Sequence, residues 1–216
     1  MRFNSLYFDL DDTLYPPGSG LWDAIRQRMN EYMQGFIKLP VPEITKIRQS
    51  YLEEYGTTLR GLQAHYDVDA DDYLMFVHDL PLERYIQPDP NLKTILLSLP
   101  QRKWIFTNAD SNHAKRVLSI LGISDCFEGI IDVRAIEFAC KPDKIAYQKA
   151  LAITTDTDPS RCVIFDDALR NLYPARELGF FTVLVGKDGK EPYVDRTLSS
   201  LHEMRECLPE LWQVND

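Results

Sequence analysis

Leu6-Tyr7-Phe8-Asp9-Leu10-Asp11-Asp12-Thr13-Leu14 is the stretch from which the fold is read. An apolar run, residues 6–8, stops abruptly at three carboxylates, Asp9, Asp11 and Asp12. A short run of this kind predicts a strand buried in a parallel sheet. In open α/β sheets the ligand crevice lies just beyond the carboxyl ends of such strands. Asp9 and Asp11 stand two apart, so an extended chain presents both to one site. Three acids packed this closely repel one another unless something cationic sits among them. Mg²⁺ suits that role, because it takes one or two carboxylates together with water and substrate phosphate oxygens. An EF-hand loop is excluded, since its sixth position requires Gly and Leu14 stands there. A solvated acidic turn would look the same over this stretch, so the rest of the chain has to decide.

Working outward, Tyr15-Pro16-Pro17-Gly18-Ser19-Gly20 breaks the pattern and predicts a hinge. Leu21, Trp22, Ile25, Met29, Met33 and Ile37 then recur at helical spacing, with Trp22, Met29, Met33 and Phe36 read as the core of a helical insert. A second helix opens at Pro42 and Glu43 and runs through Ile44, Ile47, Tyr51 and Leu52. Tyr55-Gly56-Thr57-Thr58-Leu59-Arg60-Gly61-Leu62 reads as a turn and a short helix. A further helix over 69–78 has Asp69 or Asp71 as its cap. Gln87-Pro88-Asp89-Pro90 closes the insert. From there strands and helices alternate, with a helix over 91–98 and a strand over 103–106 ending at Thr107 and Asn108. A helix over 111–121 stops at Gly122, and a strand covers 129–132. A helix over 142–153 has Pro142 in its first turn, and a strand over 161–165 ends in Asp166 and Asp167. A helix over 168–178 stops at Gly179, and a strand covers 180–185. Residues 186–216 read as a polar loop and a last helix on the flank of the sheet. The expected fold is α/β, a doubly wound parallel sheet formed by residues 1–15 and 88–216. An all-helical cap, residues 16–87, is inserted after the first strand.

Composition narrows the function classes. With 216 residues the chain has room for one good core plus a small accessory domain. A net charge of −9 argues against binding nucleic acid polymers or anionic membranes through bulk charge. Cys126, Cys140, Cys162 and Cys207 are scattered and form no Cys-x-x-Cys pair, which predicts reduced thiols in a cytoplasmic protein. No signal peptide is expected, because Met1 and Arg2 lead straight into the first strand, and no apolar stretch is long enough to span a bilayer.

The residues at the strand ends have complementary chemistry. Asp9 and Asp11 close the first strand, Thr107 and Asn108 the second, and Asp166 and Asp167 a later one, while Lys141 stands directly before Pro142. A hydroxyl, an amide and an ammonium can hold phosphate oxygens, while carboxylates hold a metal and one attacks phosphorus. This order of motifs resembles the haloacid dehalogenase-like (HAD) superfamily over nearly the whole chain. Phe8-Asp9-Leu10-Asp11-Asp12-Thr13-Leu14-Tyr15-Pro16, the Gly18-Ser19-Gly20-Leu21 turn, the Tyr55–Leu62 stretch and Phe165-Asp166-Asp167-Ala168-Leu169-Arg170-Asn171 look like its pyrimidine 5′-nucleotidase group.

The resemblance implies a hydrolase with Mg²⁺ as cofactor, acting on a small phosphate ester. Asp9 would be the nucleophile. Asp11 would be the acid and then the base, with its backbone carbonyl on the metal. Thr107 and Asn108 would hydrogen-bond the phosphoryl group, and Lys141 would neutralise both that group and Asp9. Asp167 would bind the metal directly, and Asp166 through water. Ala168 departs from the Ser that relatives often carry at that place. The resemblance implies a nucleoside 5′-monophosphate as substrate, with Thr57, Thr58, Arg60 and His65 as candidate readers of the nucleoside. A Thr pair is equally the signature of a helix cap. His113 reads as a solvated residue on a helix face, ahead of a second reading as a substrate contact from the start of its helix. Arg170 and Asn171 read as braces for the loop before them, with a plain helix-surface role equally open to Arg170. Alternatives are a phosphatase or mutase for sugar phosphates, a haloacid dehalogenase, or a binding protein on the same fold. Oligomeric state is open.

Overall fold

The computed structural model describes residues 2–213. At its centre β1 (Ser5–Phe8) lies between β2 (Arg102–Phe106) and β4 (Cys162–Asp166) in a parallel sheet. β3 (Gly129–Ile131) flanks β2, and β5 (Phe181–Val185) and β6 (Arg196–Leu198) extend the other side, giving the order β3-β2-β1-β4-β5-β6. The winding direction reverses at β1, and in sheets of this order the crevice opens at that point. All four residues of β1 are buried, as a central strand covered on both faces requires.

Register follows from packing. Phe8 pairs with Phe165 across the β1–β4 ladder, and their rings stack at 4.5 Å. One residue further on, Asp9 N–H donates to the Phe165 carbonyl at 2.8 Å, so Asp9 and Asp166 leave their strands side by side. Under one face of the sheet, Tyr7, Phe106, Ile164 and Leu184 pack with Ala146, Tyr147 and Ala150 of α7 (Lys144–Thr154) and Leu172 and Ala175 of α8 (Leu169–Glu177).

Several helix starts are set by single side chains. Asp89 caps α5 (Pro90–Ser98) and Asp110 caps α6 (Ser111–Leu121), which Gly122 ends in the left-handed region at φ 74°. The expected helix start at Pro142 is corrected. Asp143 caps α7 by accepting from Ile145 N–H, so the helix begins at Lys144 and Pro142 precedes it in a cis peptide with Lys141. The expectation for the C-terminal stretch is also corrected. It contains β6, and its α-helical part among the described residues is the single turn α9 (Met204–Cys207). β6 has only three residues and carries an exposed Arg196, too little apolar pattern to announce a strand. The end of the predicted last helix, residues 214–216, lies outside the described residues.

By its internal contacts the chain forms two units, Met1–Ser19 with Ile86–Asp216, and Gly20–Tyr85. The second consists of α1 (Leu21–Gly35), α2 (Val41–Tyr55), α3 (Thr58–His65), α4 (Ala70–His78) and a 3₁₀ turn, Leu82–Arg84. Asp69 caps α4 through the Asp71 and Asp72 amides. Tyr32 and Tyr73 meet edge to face at 5.0 Å between α1 and α4. α2 and α3 lie so close that a Cβ on Gly61 would stand 2.2 Å from Tyr51 Cγ and 2.4 Å from its Cβ.

Gly61→Ala therefore tests the packing of this unit. Alanine favours a helix over glycine by about 1 kcal/mol, but here the methyl meets the stem of Tyr51. A net loss of about 1–3 kcal/mol is expected from urea unfolding of the variant beside the parent. Stability equal to or above the parent's would show that α2 and α3 move apart without cost.

Candidate active site

The strand ends meet around one ammonium. Lys141 is 1% exposed, and its Nζ donates to Asp9 Oδ1 at 2.8 Å and to Asp166 Oδ2 at 2.7 Å. Asn108, at the end of β2, holds the backbone of Lys141 at two points. Its Nδ2 donates to the Lys141 carbonyl at 2.9 Å, and its Oδ1 accepts from the Lys141 N–H at 2.8 Å. The Asn108 amide thus fixes the lysine. Thr107 is buried, and its hydroxyl accepts from Ala109 N–H at 3.0 Å.

Asp166 is wrapped by donors. Oδ1 accepts from Ala168 N–H and Asn171 Nδ2, both at 2.9 Å, and Oδ2 accepts from Lys141 and from Asn171 Nδ2 at 3.1 Å. The bracing expected of Asn171 is thus directed at Asp166. Asp9, Asp166 and Asp167 each present a carboxylate oxygen within 4.8 Å of the others, the spacing of a metal-binding cluster. Three carboxylates here face one ammonium.

The electrostatics follow. Burial pushes the Asp9 carboxyl well above its ordinary range; Lys141 opposes this, and Asp166 and Asp167 reinforce it. Burial, then Asp166, pushes Asp167 up to about 7. Burial alone would lower the Lys141 pKa, but Asp166 and Asp9 outweigh it and hold the group above the usual lysine value. The ammonium is therefore secure, while Asp9 and Asp167 resist ionisation.

Asp11 is built differently. After β1 the chain makes one helix-like turn, with Leu14 N–H on the Leu10 carbonyl at 3.0 Å and Asp12 at φ 57°. Tyr15, four residues beyond Asp11, closes over that turn and donates its hydroxyl to Asp11 Oδ1 at 2.7 Å. His113 Nε2 meets the same oxygen at 2.8 Å. The expectation of a solvated His113 is corrected, for it is 1% exposed and points at Asp11. The Asp110 cap sets its position by accepting from the Asn112 and His113 N–H groups. Asp110 two residues after Asn108 was the available signal for where α6 begins. Burial of Tyr15, then Asp11 beside it, raises the phenol far above the usual range, so it remains a donor.

The remaining candidates lie in the Gly20–Tyr85 unit. Thr57 caps α3, its hydroxyl accepting from Arg60 N–H at 3.2 Å. Thr58 is buried. His65 stacks on Tyr51 at 5.1 Å and shares a 2.9 Å hydrogen bond with the Tyr55 hydroxyl. His78, for which sequence suggested no role, is buried near the end of α4.

A family model described as haloacid dehalogenase-like hydrolase matches residues 4–179. The chain belongs to that family of hydrolases. It is 31% identical over 192 residues to Phosphate metabolism protein 8 of Saccharomyces cerevisiae, a match covering 82% of this chain and 60% of the yeast protein. Among solved structures, a HAD phosphatase from Thermococcus onnurineus superposes with a TM-score of 0.64 at 17% identity, covering 94% of this chain and 97% of that one. The L-2-haloacid dehalogenase of Xanthobacter autotrophicus gives 0.59 at 17% identity over the same shares. The putative HAD-hydrolase YfnB of Bacillus subtilis, bound to magnesium, gives 0.57 at 17% identity, covering 99% and 100%. These likenesses establish the fold.

The raised Asp167 carboxyl yields a stability prediction. With its folded pKa near 7 against an ordinary 3.8, the folded protein holds this proton more tightly than the unfolded chain. Its contribution is greatest below the unfolded value and is lost as pH rises through about 7. In the presence of a chelator, Asp167→Asn should raise Tm at pH 8, with the gain shrinking towards pH 4. Thermal unfolding across that range checks it, and no gain at pH 8 would mean that the charge goes unpenalised.

Proposed function

We propose that this hydrolase is a Mg²⁺-dependent phosphatase that cleaves a nucleoside 5′-monophosphate through an aspartyl-phosphate on Asp9. The observation that carries the reading is the buried Lys141 ammonium between Asp9 and Asp166, beside Asp167. The donor set fits a hard divalent cation, because it is all carboxylate and carries more negative charge than Lys141 balances. Asp9 and Asp167 would hold the ion, with the Asp11 carbonyl. Asp166, its oxygens already engaged by Lys141, Asn171 and Ala168, would act through the alignment of its neighbours. Bound Mg²⁺ would offset charge on the phosphoryl oxygens.

Within the chain's own chemistry, Lys141 favours the ionised form of Asp9 and aims it. An Asp9 oxygen attacks phosphorus as the bond to the leaving oxygen breaks, and Asp11 gives that oxygen its proton. Water then attacks the phosphorus of the aspartyl-phosphate. Its proton passes to Asp11, and Asp9 is released as a carboxylate. Thr107 and Lys141 stabilise charge on the transferring group, while Asn108 contributes by holding Lys141.

The choice of nucleotide rests on the motif resemblance, and the phosphate chemistry accords with the yeast relative's name. We read the Gly20–Tyr85 unit as the cap that excludes water from the reaction. α3, with Thr58, Arg60 and His65, is the proposed nucleoside reader, Thr57 contributing through its helix cap. A dehalogenase needs neither an acid at Asp11 nor a metal cluster, which disfavours that reading. Buried free thiols at Cys126, Cys140 and Cys162 accord with a cytoplasmic setting. No helix among the described residues is long and apolar enough to cross a membrane.

The test is phosphate release with Mg²⁺ from UMP, CMP, GMP, XMP, several sugar phosphates and pyridoxal phosphate, run beside Asp9→Asn. A sharp preference for one nucleotide is expected, with turnover lost by at least about 10³-fold in the variant. Flat turnover across the panel would remove the nucleotide assignment and leave a phosphatase. No release with or without metal would overturn the proposal.

A further inference from the structure

We propose that Tyr15 and His113 are positioning residues for the acid–base group of the reaction, holding the Asp11 carboxylate where it exchanges its proton. The inference rests on the phosphatase reading and adds to it two side chains outside the strand-end motifs. Their donors reach one atom, Asp11 Oδ1, from two separate elements, the turn after β1 and the first turn of α6. Both side chains are buried, Tyr15 at 3% and His113 at 1% exposure. Burying two polar side chains is favourable only when they are hydrogen-bonded, and here both bonds fall on the carboxylate two residues beyond the nucleophile. Asp11 lies outside the metal-type cluster of Asp9, Asp166 and Asp167, so these donors, rather than that cluster, orient it. Two hydrogen-bond partners anchored on separate elements restrict the torsions of a short side chain. An acid held this way loses little entropy in reaching its reacting geometry.

The same contacts would also be seen if Tyr15 and His113 merely pinned the turn to α6. Leaving-group chemistry separates the two roles. When the phosphorus–oxygen bond of an alkyl phosphate breaks, the departing alkoxide is a poor leaving group and needs the proton from Asp11. A p-nitrophenolate departs without that help. The kinetic constant kcat/KM reports steps up to this first cleavage. Misplacing the acid therefore slows alkyl esters more than p-nitrophenyl phosphate, whereas general loosening of the fold slows both alike.

The experiment measures kcat/KM with Mg²⁺ for p-nitrophenyl phosphate and for whichever alkyl phosphate of the panel above is turned over fastest. Tyr15→Phe and His113→Leu should each lower the alkyl-to-aryl ratio about tenfold or more, below the ~10²–10⁴-fold worth of the general acid itself, which Asp11→Asn reports. His113→Gln keeps an N–H donor at nearly the position of Nε2 and should recover most of the ratio. Tyr15→Phe removes one oxygen and keeps the ring, so it guards against a variant that fails to fold. Ratios that stay at the wild-type value in both variants would overturn the inference and leave the phosphatase reading intact. Wild-type protein that releases phosphate from neither ester would overturn both.

Discussion

An ammonium buried between two carboxylates is the constraint on which the rest of this structure depends. Taking Lys141 out of water costs several kcal/mol in principle, and Asp9 and Asp166 offset that cost only while both stay within hydrogen-bonding distance. Distant parts of the chain serve that geometry. The β1–β4 register sets Asp9 beside Asp166, Asn108 clamps the Lys141 backbone, and Asn171 in the first turn of α8 holds Asp166. Buried ion pairs are seldom retained for stability, since well-packed apolar groups often do as well. Here a third carboxylate lies beside the pair, and burial raises the Asp9 and Asp167 pKa values, a combination that clusters at functional sites.

Adjacent acids are treated unlike each other, and hydrogen-bond donors make the difference. Asp166 meets Lys141, Asn171 and a backbone N–H, whereas burial and the neighbouring Asp166 penalise the charge on Asp167. Asp9 takes an ammonium, while Asp11 takes a phenol and an imidazole. Four carboxylates on two strand ends thereby acquire four environments. A parallel sheet permits this because each strand end is followed by a turn of its own, and each turn supplies different donors.

Much of this was legible in the sequence for a simple reason. Strand ends in a parallel sheet are marked by an apolar run that stops, and the residues just after the stop are the ones that converge. That rule picked out Asp9, Asp166 and Asp167, whose carboxylate oxygens lie within 4.8 Å of one another, and Asn108, which holds the Lys141 backbone. Capping chemistry located the start of α4 and the end of α6 as well. What stayed hidden depended on tertiary contact or on weak local signals. The burial of His113 is decided by Asp11, 102 residues away. The start of α7 was misread because Pro142 resembles a first-turn proline, while Asp143 supplies the cap. Tyr15 was read as part of a break and of the family motif but given no role of its own, although its four-residue spacing from Asp11 was in view.

The coupling of charge within the site bears on how it works. A nucleophilic carboxylate must be ionised, yet burial of Asp9 opposes ionisation and its acidic neighbours add to the opposition. Lys141 answers part of this. It also answers to Asp166, and a single ammonium does not balance three carboxylates. A divalent cation among Asp9, Asp166 and Asp167 would close the imbalance and draw the Asp9 and Asp167 pKa values down together. Ion binding and ionisation of the nucleophile are then one equilibrium, because a metal can bind only as the carboxylate protons leave. On the reading proposed above, the excess of negative charge would favour a bound cation, which would also serve as counter-charge to the phosphoryl group. Burial, which first looks like an obstacle to an ionised nucleophile, would then tie the ionisation of Asp9 to the metal.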